Sequence, residues 1–138
     1  PDYARALARA FWPGGLTLIL RARPDLGWDL GQTGGTIGVR MPDQGALLDL
    51  LADVGPMAVT SANLTGQPPA TTVDQAVSSF GDAVSLYLDA GPTAGSTASS
   101  IVDCAHGAPR VLRMGTISLA DLSEAAGVAI ETPGEGRA

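Results

Sequence analysis

The chain has 138 residues, of which 45% are hydrophobic and 16% charged, a balance typical of a globular protein. Its formal net charge of −6 gives no support to non-specific nucleic-acid binding, and one cysteine with one histidine excludes an internal disulfide and argues against a zinc cluster. No apolar stretch approaches the ~20 residues of a membrane helix, so we expect a cytoplasmic protein without a membrane partner.

The predicted helices and strands alternate along the chain. Helical periodicity or capping signals mark four segments: 2–11, 42–54, 72–80 and 118–126. Short apolar or alternating runs typical of strands occupy six segments: 16–20, 36–40, 57–60, 85–89, 99–103 and 110–113. Because several strands follow one another without a helix between them, we expect an α/β fold with a mixed sheet and flanking helices.

The most informative segment is 55–70. A short apolar run there ends in Thr60, Ser61 and Asn63, and a Gly/Pro turn follows. Small polar side chains at the junction of a strand and a loop are well placed to bind a nucleotide or an amino acid. The same residues can equally form an Asx or Ser/Thr turn that only satisfies its own backbone. The segment by itself does not decide between the two.

A second candidate site lies on the strand predicted over 36–40. Positions separated by an even number share a face of a strand, so Thr36, Gly38 and Arg40 project together. Gly38 leaves room for a ligand to approach the backbone. The alternative is an exposed strand-end arginine in a surface ion pair.

Other features on their own indicate structural roles. The pair Phe11-Trp12 is expected to pack in the core first and to form a site wall second. The stretch 91–100 is typical of a flexible Gly/Ser loop. Cys104 lies on an apolar strand, where we expect it to be buried and inert, and His106 is given no functional role.

Five strings occur in a fixed order along the chain: residues 11–20, 36–42, 55–70, 89–103 and 111–115. That order resembles the YrdC-like family, the threonylcarbamoyl-AMP synthases that begin the t6A modification of transfer RNA. The resemblance extends from Tyr3 to about Gly115. It implies a twisted mixed sheet with flanking helices, with a YrdC-like domain over residues 1–126 and a C-terminal tail over 127–138.

The resemblance also implies an activity. Members of the family join L-threonine, bicarbonate and ATP into threonylcarbamoyl-AMP with release of pyrophosphate, which makes them nucleotidyltransferases. Mg²⁺ is expected to accompany ATP, although no carboxylate of this chain is indicated as its ligand and no metal site is predicted. Weak binding of tRNA or double-stranded RNA is a further expectation, as are downstream t6A transferase partners.

Individual residues match positions to which the family gives a role. The matches for ATP binding are Thr36, Ser61, Asn63 and Arg113, with Arg113 associated with the nucleotide phosphates. The matches for threonine binding are Arg40, Thr60 and Ser99. Thr17, in Pro-Gly-Gly-Leu-Thr, matches a position near the phosphates or in the site wall, and no catalytic residue is assigned.

The chain also departs from the family pattern. Members usually carry a Pro-Thr-Asp-Thr-x-Tyr-Gly-like motif and then a Lys-x-Arg motif before the Phe-Trp-Pro-Gly stretch. Neither is present, and all eight basic residues are arginines. Gly15 replaces a usual proline, and Ser100 replaces a usual threonine but keeps the hydroxyl. We therefore expect a fragment that is inactive by itself and prone to aggregate or dimerise.

Three alternatives to a synthase remain open at this point. One is a double-stranded RNA or nucleotide-binding module of the same fold without catalysis. The negative net charge of the chain argues against it. Another is a paralogue that acts on a different acyl-phosphate or carbamoyl substrate. The last is a truncated remnant that folds only with a partner.

Overall fold

The computed structural model describes residues 1–93, 95 and 97–132. The chain divides into two compact units, one formed by Pro1–Asp53 with Ala98–Ala138 and the other by Val54–Thr97. The helices are α1 (Asp2–Phe11), α2 (Gly45–Val54), α3 (Val73–Phe80) and α4 (Leu119–Ala126). The strands are β1 (Leu16–Arg21), β2 (Thr36–Val39), β3 (Ser100–Asp103) and β4 (Arg110–Arg113).

The first unit contains a four-stranded sheet in the order β2-β1-β3-β4. Strand β1 pairs with β2 in the antiparallel sense and with β3 in the parallel sense, and β3 pairs with β4 in the antiparallel sense. The prediction of a mixed α/β sheet with flanking helices is therefore confirmed.

One face of this sheet packs against α1 and α4, which also contact each other. Side chains that alternate along a strand point to opposite faces, so every second residue of β1 and β3 enters this core. Leu7, Leu16, Leu18, Val102 and Leu122 are almost completely inaccessible to solvent. Phe11 and Trp12 pack against the same cluster, as the sequence predicted.

Two helices begin at the side-chain caps that the sequence predicted. The Thr72 hydroxyl accepts a hydrogen bond from the Gln75 N–H at 3.3 Å, and the Ser118 hydroxyl accepts one from the Asp121 N–H at 3.1 Å. The capping box of α3 differs from the standard one. The Gln75 side chain accepts a hydrogen bond from the N–H of Thr71, whereas a standard box uses the N–H of the cap residue.

The strands predicted over 57–60 and 85–89 are wrong. Neither segment forms a strand, and their apolar side chains are left in solvent: Val59 is 82% exposed, Leu86 70% and Leu88 75%. An apolar or alternating run makes a strand only when a neighbouring strand takes up its backbone N–H and C=O groups. Among the described residues, no such neighbour pairs with either segment.

The end of the chain is described only to Thr132. Ile130 is buried in the core, and Glu131 forms an isolated parallel bridge with Arg110. Residues 133–138 of the predicted C-terminal tail lie outside the described residues, as do Ala94 and Ser96 of the predicted Gly/Ser loop. The division into a domain over 1–126 and a tail over 127–138 stays a prediction. No helix in the described part of the chain is long and apolar enough to cross a membrane.

The packing of α4 on the sheet predicts the cost of truncating Leu122, which has no exposed surface. Leu122→Ala leaves a cavity where α4 meets the core, so the free energy of unfolding should fall by about 2–5 kcal/mol. Urea unfolding followed by circular dichroism measures this change. Leu86→Ala is the matched control, because that side chain is 70% exposed and its loss should change stability by no more than about 0.5 kcal/mol. Equal effects of the two substitutions would contradict the core assignment.

Candidate functional site

Four predicted site residues of the first unit lie at one edge of its sheet, which we call the arginine edge: Thr17, Arg40, Ser99 and Arg113. Because β1 and β3 are parallel, they begin at the same edge of the sheet, where Leu16 pairs with Ser100. The antiparallel strands β2 and β4 end there. The order and direction of the strands therefore bring residues from four separate stretches of the sequence to the same edge.

Ser99 is the centre of the contacts at this edge. Its hydroxyl oxygen is 2.9 Å from the Thr17 hydroxyl oxygen, with which it shares a hydrogen bond. Arg113 donates from Nε to the Ser99 carbonyl oxygen at 2.9 Å and from Nη2 to the Ser99 hydroxyl at 3.0 Å. A two-point bond of this kind fixes the plane of the guanidinium group.

Arg40 approaches the edge from the end of β2. Its Nε donates to the carbonyl oxygen of Gly14 at 2.9 Å, and the Gly14 N–H donates to the carbonyl oxygen of Met41 at 2.8 Å. The turn that follows α1 is thereby bound to the residues that follow β2. The Gly14 carbonyl was not identified from the sequence, although the Pro-Gly-Gly string marked this turn.

Neither Arg40 nor Arg113 has a carboxylate partner within 4.0 Å among the described residues. Each uses only part of its donor set on backbone or hydroxyl oxygens, and both side chains belong to exposed residues. In a chain of net charge −6, two guanidinium groups at one edge, neither paired with a carboxylate of the described residues, form a local positive region. Such groups are suited to carboxylate or phosphate oxygens. Within the described part of the chain, Arg40 does not form the surface ion pair that the sequence left open.

Thr36 lies at the opposite edge of the sheet. It pairs with Arg21 at the far end of β1, and its hydroxyl donates to the Thr33 carbonyl oxygen at 2.9 Å. At the rise of an extended strand, four residues separate it from Arg40 by roughly 13 Å. Thr36 and Gly38 do share a face, as their pairing with β1 requires, but sharing a face does not bring Thr36 to the arginine edge.

Thr60, Ser61 and Asn63 belong to the second unit and form a turn with local bonds. The Thr60 hydroxyl donates to the Ser61 carbonyl oxygen at 3.2 Å, and the Asn63 side-chain amide donates to the Leu64 carbonyl oxygen at 3.0 Å. The Asn63 N–H donates to the Ser61 carbonyl oxygen at 3.0 Å. One atom stays unsatisfied, because the buried Asn63 Oδ1 has no hydrogen-bond partner among the described residues. A buried acceptor without a donor is costly unless a ligand supplies one.

A further polar cluster surrounds Asp103, at the edge of the sheet opposite the arginine edge. The buried Asp103 carboxylate accepts from the Ala105 N–H at 2.9 Å and lies 2.9 Å from His106 Nδ1 and 3.9 Å from Arg110 Nη2. Burial alone would raise the pKa of the Asp103 carboxyl. The bonds from Ala105 and His106, with the charge of Arg110, outweigh burial and hold that pKa below its usual range. His106 was not predicted to have a role, although the aspartate three residues before it in the sequence indicates this contact.

Cys104 contributes no reactive thiol. The side chain is buried, and burial together with the charge of Asp103 raises the pKa of the thiol to about 11. A thiol with that pKa is protonated at neutral pH and is a poor nucleophile. The sequence-based expectation of a buried cysteine is confirmed, and its inertness stays a prediction that the raised pKa supports.

The mixed sheet with its flanking helices defines an α/β protein. The family model that joins Sua5, YciO and YrdC proteins, described as telomere recombination, matches residues 1–115. The chain belongs to this family.

Similar proteins include several named for one activity. A Mycobacterium leprae (strain TN) protein named as a threonylcarbamoyl-AMP synthase is 52% identical over 128 residues, which are 93% of this chain and 58% of the relative. The threonylcarbamoyl-AMP synthase of Bacillus subtilis (strain 168) is 37% identical over 121 residues, 86% of this chain and 35% of the relative. The chain thus spans less than two thirds of these curated relatives.

A solved structure matches the fold as well as the sequence. The crystal structure of Pyrococcus abyssi Sua5 complexed with L-threonine superposes with a TM-score of 0.85 at 32% identity. The match covers 96% of this chain and 39% of the Sua5 chain. The YrdC-like fold that the motif order implied is confirmed.

The Asp103 cluster predicts a pH dependence of stability. The pKa of Asp103 is lower in the folded chain than in the unfolded one, so its ionised form stabilises the fold above about pH 4 and this contribution is lost as pH falls through the folded-state pKa. Asp103→Asn should lower the free energy of unfolding by about 1–3 kcal/mol at neutral pH. The difference from the unsubstituted chain should shrink in acid.

Urea unfolding of both proteins at about pH 7 and about pH 3 measures this difference. Asp25→Asn is the matched control, because Asp25 forms an exposed ion pair with Arg23 and its removal should have little effect. A stability loss for Asp103→Asn that is the same at both pH values would contradict the electrostatic account.

Proposed function

We propose that the protein carrying this chain is an L-threonylcarbamoyladenylate synthase, which converts L-threonine, bicarbonate and ATP into threonylcarbamoyl-AMP and pyrophosphate. The observation that carries the proposal is the arginine edge, where two guanidinium groups without carboxylate partners among the described residues lie at the same edge as two hydroxyl groups. Family membership and the names of the relatives support the same activity.

The reaction requires charge neutralisation more than a protein nucleophile. Threonine's amine and bicarbonate form a carbamate with loss of water. A carbamate oxygen then attacks the α-phosphorus of ATP, a new P–O bond forms, and the bond to the β-phosphate oxygen breaks to release pyrophosphate. Both reactants are anions, so the main tasks are to align them and to offset their repulsion. Fixed guanidinium groups serve both tasks.

We assign the roles at the arginine edge as follows. Arg113, whose plane is fixed by Ser99, presents its remaining N–H donors to ATP phosphate oxygens. Arg40 presents its free N–H groups to the threonine carboxylate, and the hydroxyls of Ser99 and Thr17 hydrogen-bond to the threonine side chain or to a phosphate oxygen. Arg113 for ATP and Arg40 and Ser99 for threonine are also the assignments that the motif order implies. Thr36 at the opposite edge stays a prediction as an ATP-binding residue.

The turn of the second unit is proposed to bind a nucleotide by a different chemistry. Asn63 Oδ1 is a buried acceptor that no donor of the described residues reaches, and the hydroxyl and amino groups of a nucleoside are donors. The neighbouring Ser61 is exposed and can take part, as can Thr60 in seating threonine. Asn63→Asp places a negative charge at the same position and should weaken ATP binding more than Asn63→Ser does.

Magnesium is proposed to arrive with ATP. Among the described residues, no group of three or more His, Cys, Asp and Glu side chains could hold a metal ion. Mg²⁺ commonly keeps several waters and is bound through substrate phosphates. The chain's own contribution is then cationic, at the arginine edge. The product is proposed to serve t6A modification of tRNA through a separate transferase.

A thermal unfolding scan with and without Mg-ATP tests the proposal on this chain. ATP at a hundredfold excess over its dissociation constant should stabilise the folded state by ~2.7 kcal/mol, which raises the unfolding midpoint by several degrees. Arg113→Ala should remove most of that shift. Arg5→Ala should retain it, because Arg5 is an exposed residue of α1 with no side-chain bond to the arginine edge.

The same scan contains the outcomes that would contradict the proposal. A chain that unfolds cooperatively and is stabilised by neither ATP nor L-threonine lacks the proposed site. An equal ATP shift in the unsubstituted chain and in Arg113→Ala places the nucleotide elsewhere. If double-stranded RNA raises the unfolding midpoint and L-threonine does not, the result would favour the RNA-binding alternative.

A further inference from the structure

The stretch Arg110–Arg113 of β4 contains one residue more than the stretch of β3 with which it pairs, residues 101–103. Val102 pairs with Val111 and Asp103 with Arg110, but Ile101 pairs with Arg113. Leu112 is therefore an extra residue on β4, which is the arrangement of a β-bulge. Bulges commonly change the direction in which the following side chain projects.

This bulge decides which face of the sheet receives Arg113. In an unbroken register Arg113 would lie opposite Ser100, whose side chain is completely buried on the face that packs against α1 and α4. With the bulge, Arg113 lies opposite Ile101, which itself pairs with Thr17. Directly paired residues share a face, so the bulge moves Arg113 to the same face as Thr17.

The chain beyond the bulge is held by Ser100. The buried Ser100 hydroxyl accepts a hydrogen bond from the Gly115 N–H at 3.0 Å, and the Ser100 N–H donates to the Gly15 carbonyl oxygen at 2.9 Å. Gly115 runs so close to this backbone that a Cβ would collide with the Ser100 nitrogen and the Ala98 carbonyl oxygen. The contact thus depends on a glycine at 115 and on a hydroxyl at 100.

We propose that Ser100 is a positioning residue for Arg113. By accepting the Gly115 hydrogen bond, its buried hydroxyl holds the end of β4 after the Leu112 bulge, and this keeps the Arg113 guanidinium on Ser99 and at the arginine edge. Ser100 itself has no exposed surface with which to touch a ligand. The geometric part of the proposal is independent of the proposed function, whereas its consequence for ATP binding rests on it.

The geometric part is tested by NMR of the arginine Nε–H groups. In the unsubstituted chain the Arg113 Nε–H, bonded to the Ser99 carbonyl oxygen, should exchange slowly with water; its signal is assigned by its loss in Arg113→Lys. Ser100→Ala removes the acceptor for Gly115 and should speed that exchange by roughly tenfold. Ser100→Thr keeps the hydroxyl and should restore slow exchange.

Ser123→Ala is the matched control. Ser123 also accepts a hydrogen bond from a backbone N–H, that of Ile130 at 3.3 Å, so its loss removes a similar bond elsewhere in the unit. The Arg113 signal should be unchanged in this variant. A folded Ser100→Ala protein with an unchanged Arg113 Nε–H signal would overturn the proposal.

The consequence for ATP is tested by a double-mutant cycle in isothermal titration calorimetry. Ser100→Ala should weaken ATP binding by about tenfold when Arg113 is present and by less than about twofold in an Arg113→Ala background. Equal losses in the two backgrounds would mean a general structural effect and would overturn the proposal. If the unsubstituted chain binds no ATP, the assignment of ATP to the arginine edge of this chain fails, and the NMR result still decides the geometry.

Amide exchange in the unsubstituted chain keeps the proposal testable if Ser100→Ala does not fold. The Gly115 N–H should be protected and should open together with the Arg113 Nε–H, since one contact holds both. A Gly115 amide that exchanges as fast as an exposed one would show that Ser100 does not hold this segment.

Discussion

The parallel pairing of β1 with β3 is the constraint on which the rest of the first unit depends. It brings together two stretches of chain that lie 82 residues apart at the Thr17–Ser99 contact. Because the two strands run in the same direction, both begin at one edge of the sheet, and their antiparallel neighbours end there. The same pairing aligns Leu18 with Val102 on the other face, where the core forms. The core and the candidate site therefore involve opposite faces of the same pair of strands.

The charge distribution follows from the same arrangement. The chain is acidic as a whole, yet two guanidinium groups lie at one edge without carboxylate partners in the described part of the chain, while the buried carboxylate of Asp103 lies at the other edge. Asp103 lies 2.9 Å from His106 Nδ1 and 3.9 Å from Arg110 Nη2, so its contacts are local to that edge. We propose that an anionic substrate binds to the guanidinium donors at the arginine edge. A site of this kind works by alignment and electrostatics.

Local signals in the sequence were sufficient for the helices and for the paired strands. Ser118 and Thr72 cap their helices, and the run over 110–113 is a strand with the predicted bounds. The runs over 57–60 and 85–89 failed because strand formation depends on a partner that the pattern does not contain. The order of the motifs identified the candidate residues. It did not show that Thr17 and Arg113 both contact Ser99, or that Thr36 lies at the opposite edge of the sheet. Those facts depend on long-range register and on the bulge at Leu112, neither of which is encoded in spacing along the chain.

The central claim is that substrates bind at the arginine edge, and NMR of the eight arginines during titration with Mg-ATP and L-threonine tests it most directly. The account predicts that the Nε–H signals of Arg113 and Arg40 shift with saturable curves, whereas those of Arg5 and Arg9 on α1 stay in place. Saturable shifts of other arginines, with Arg40 and Arg113 unaffected, would place the ligands elsewhere and contradict the claim.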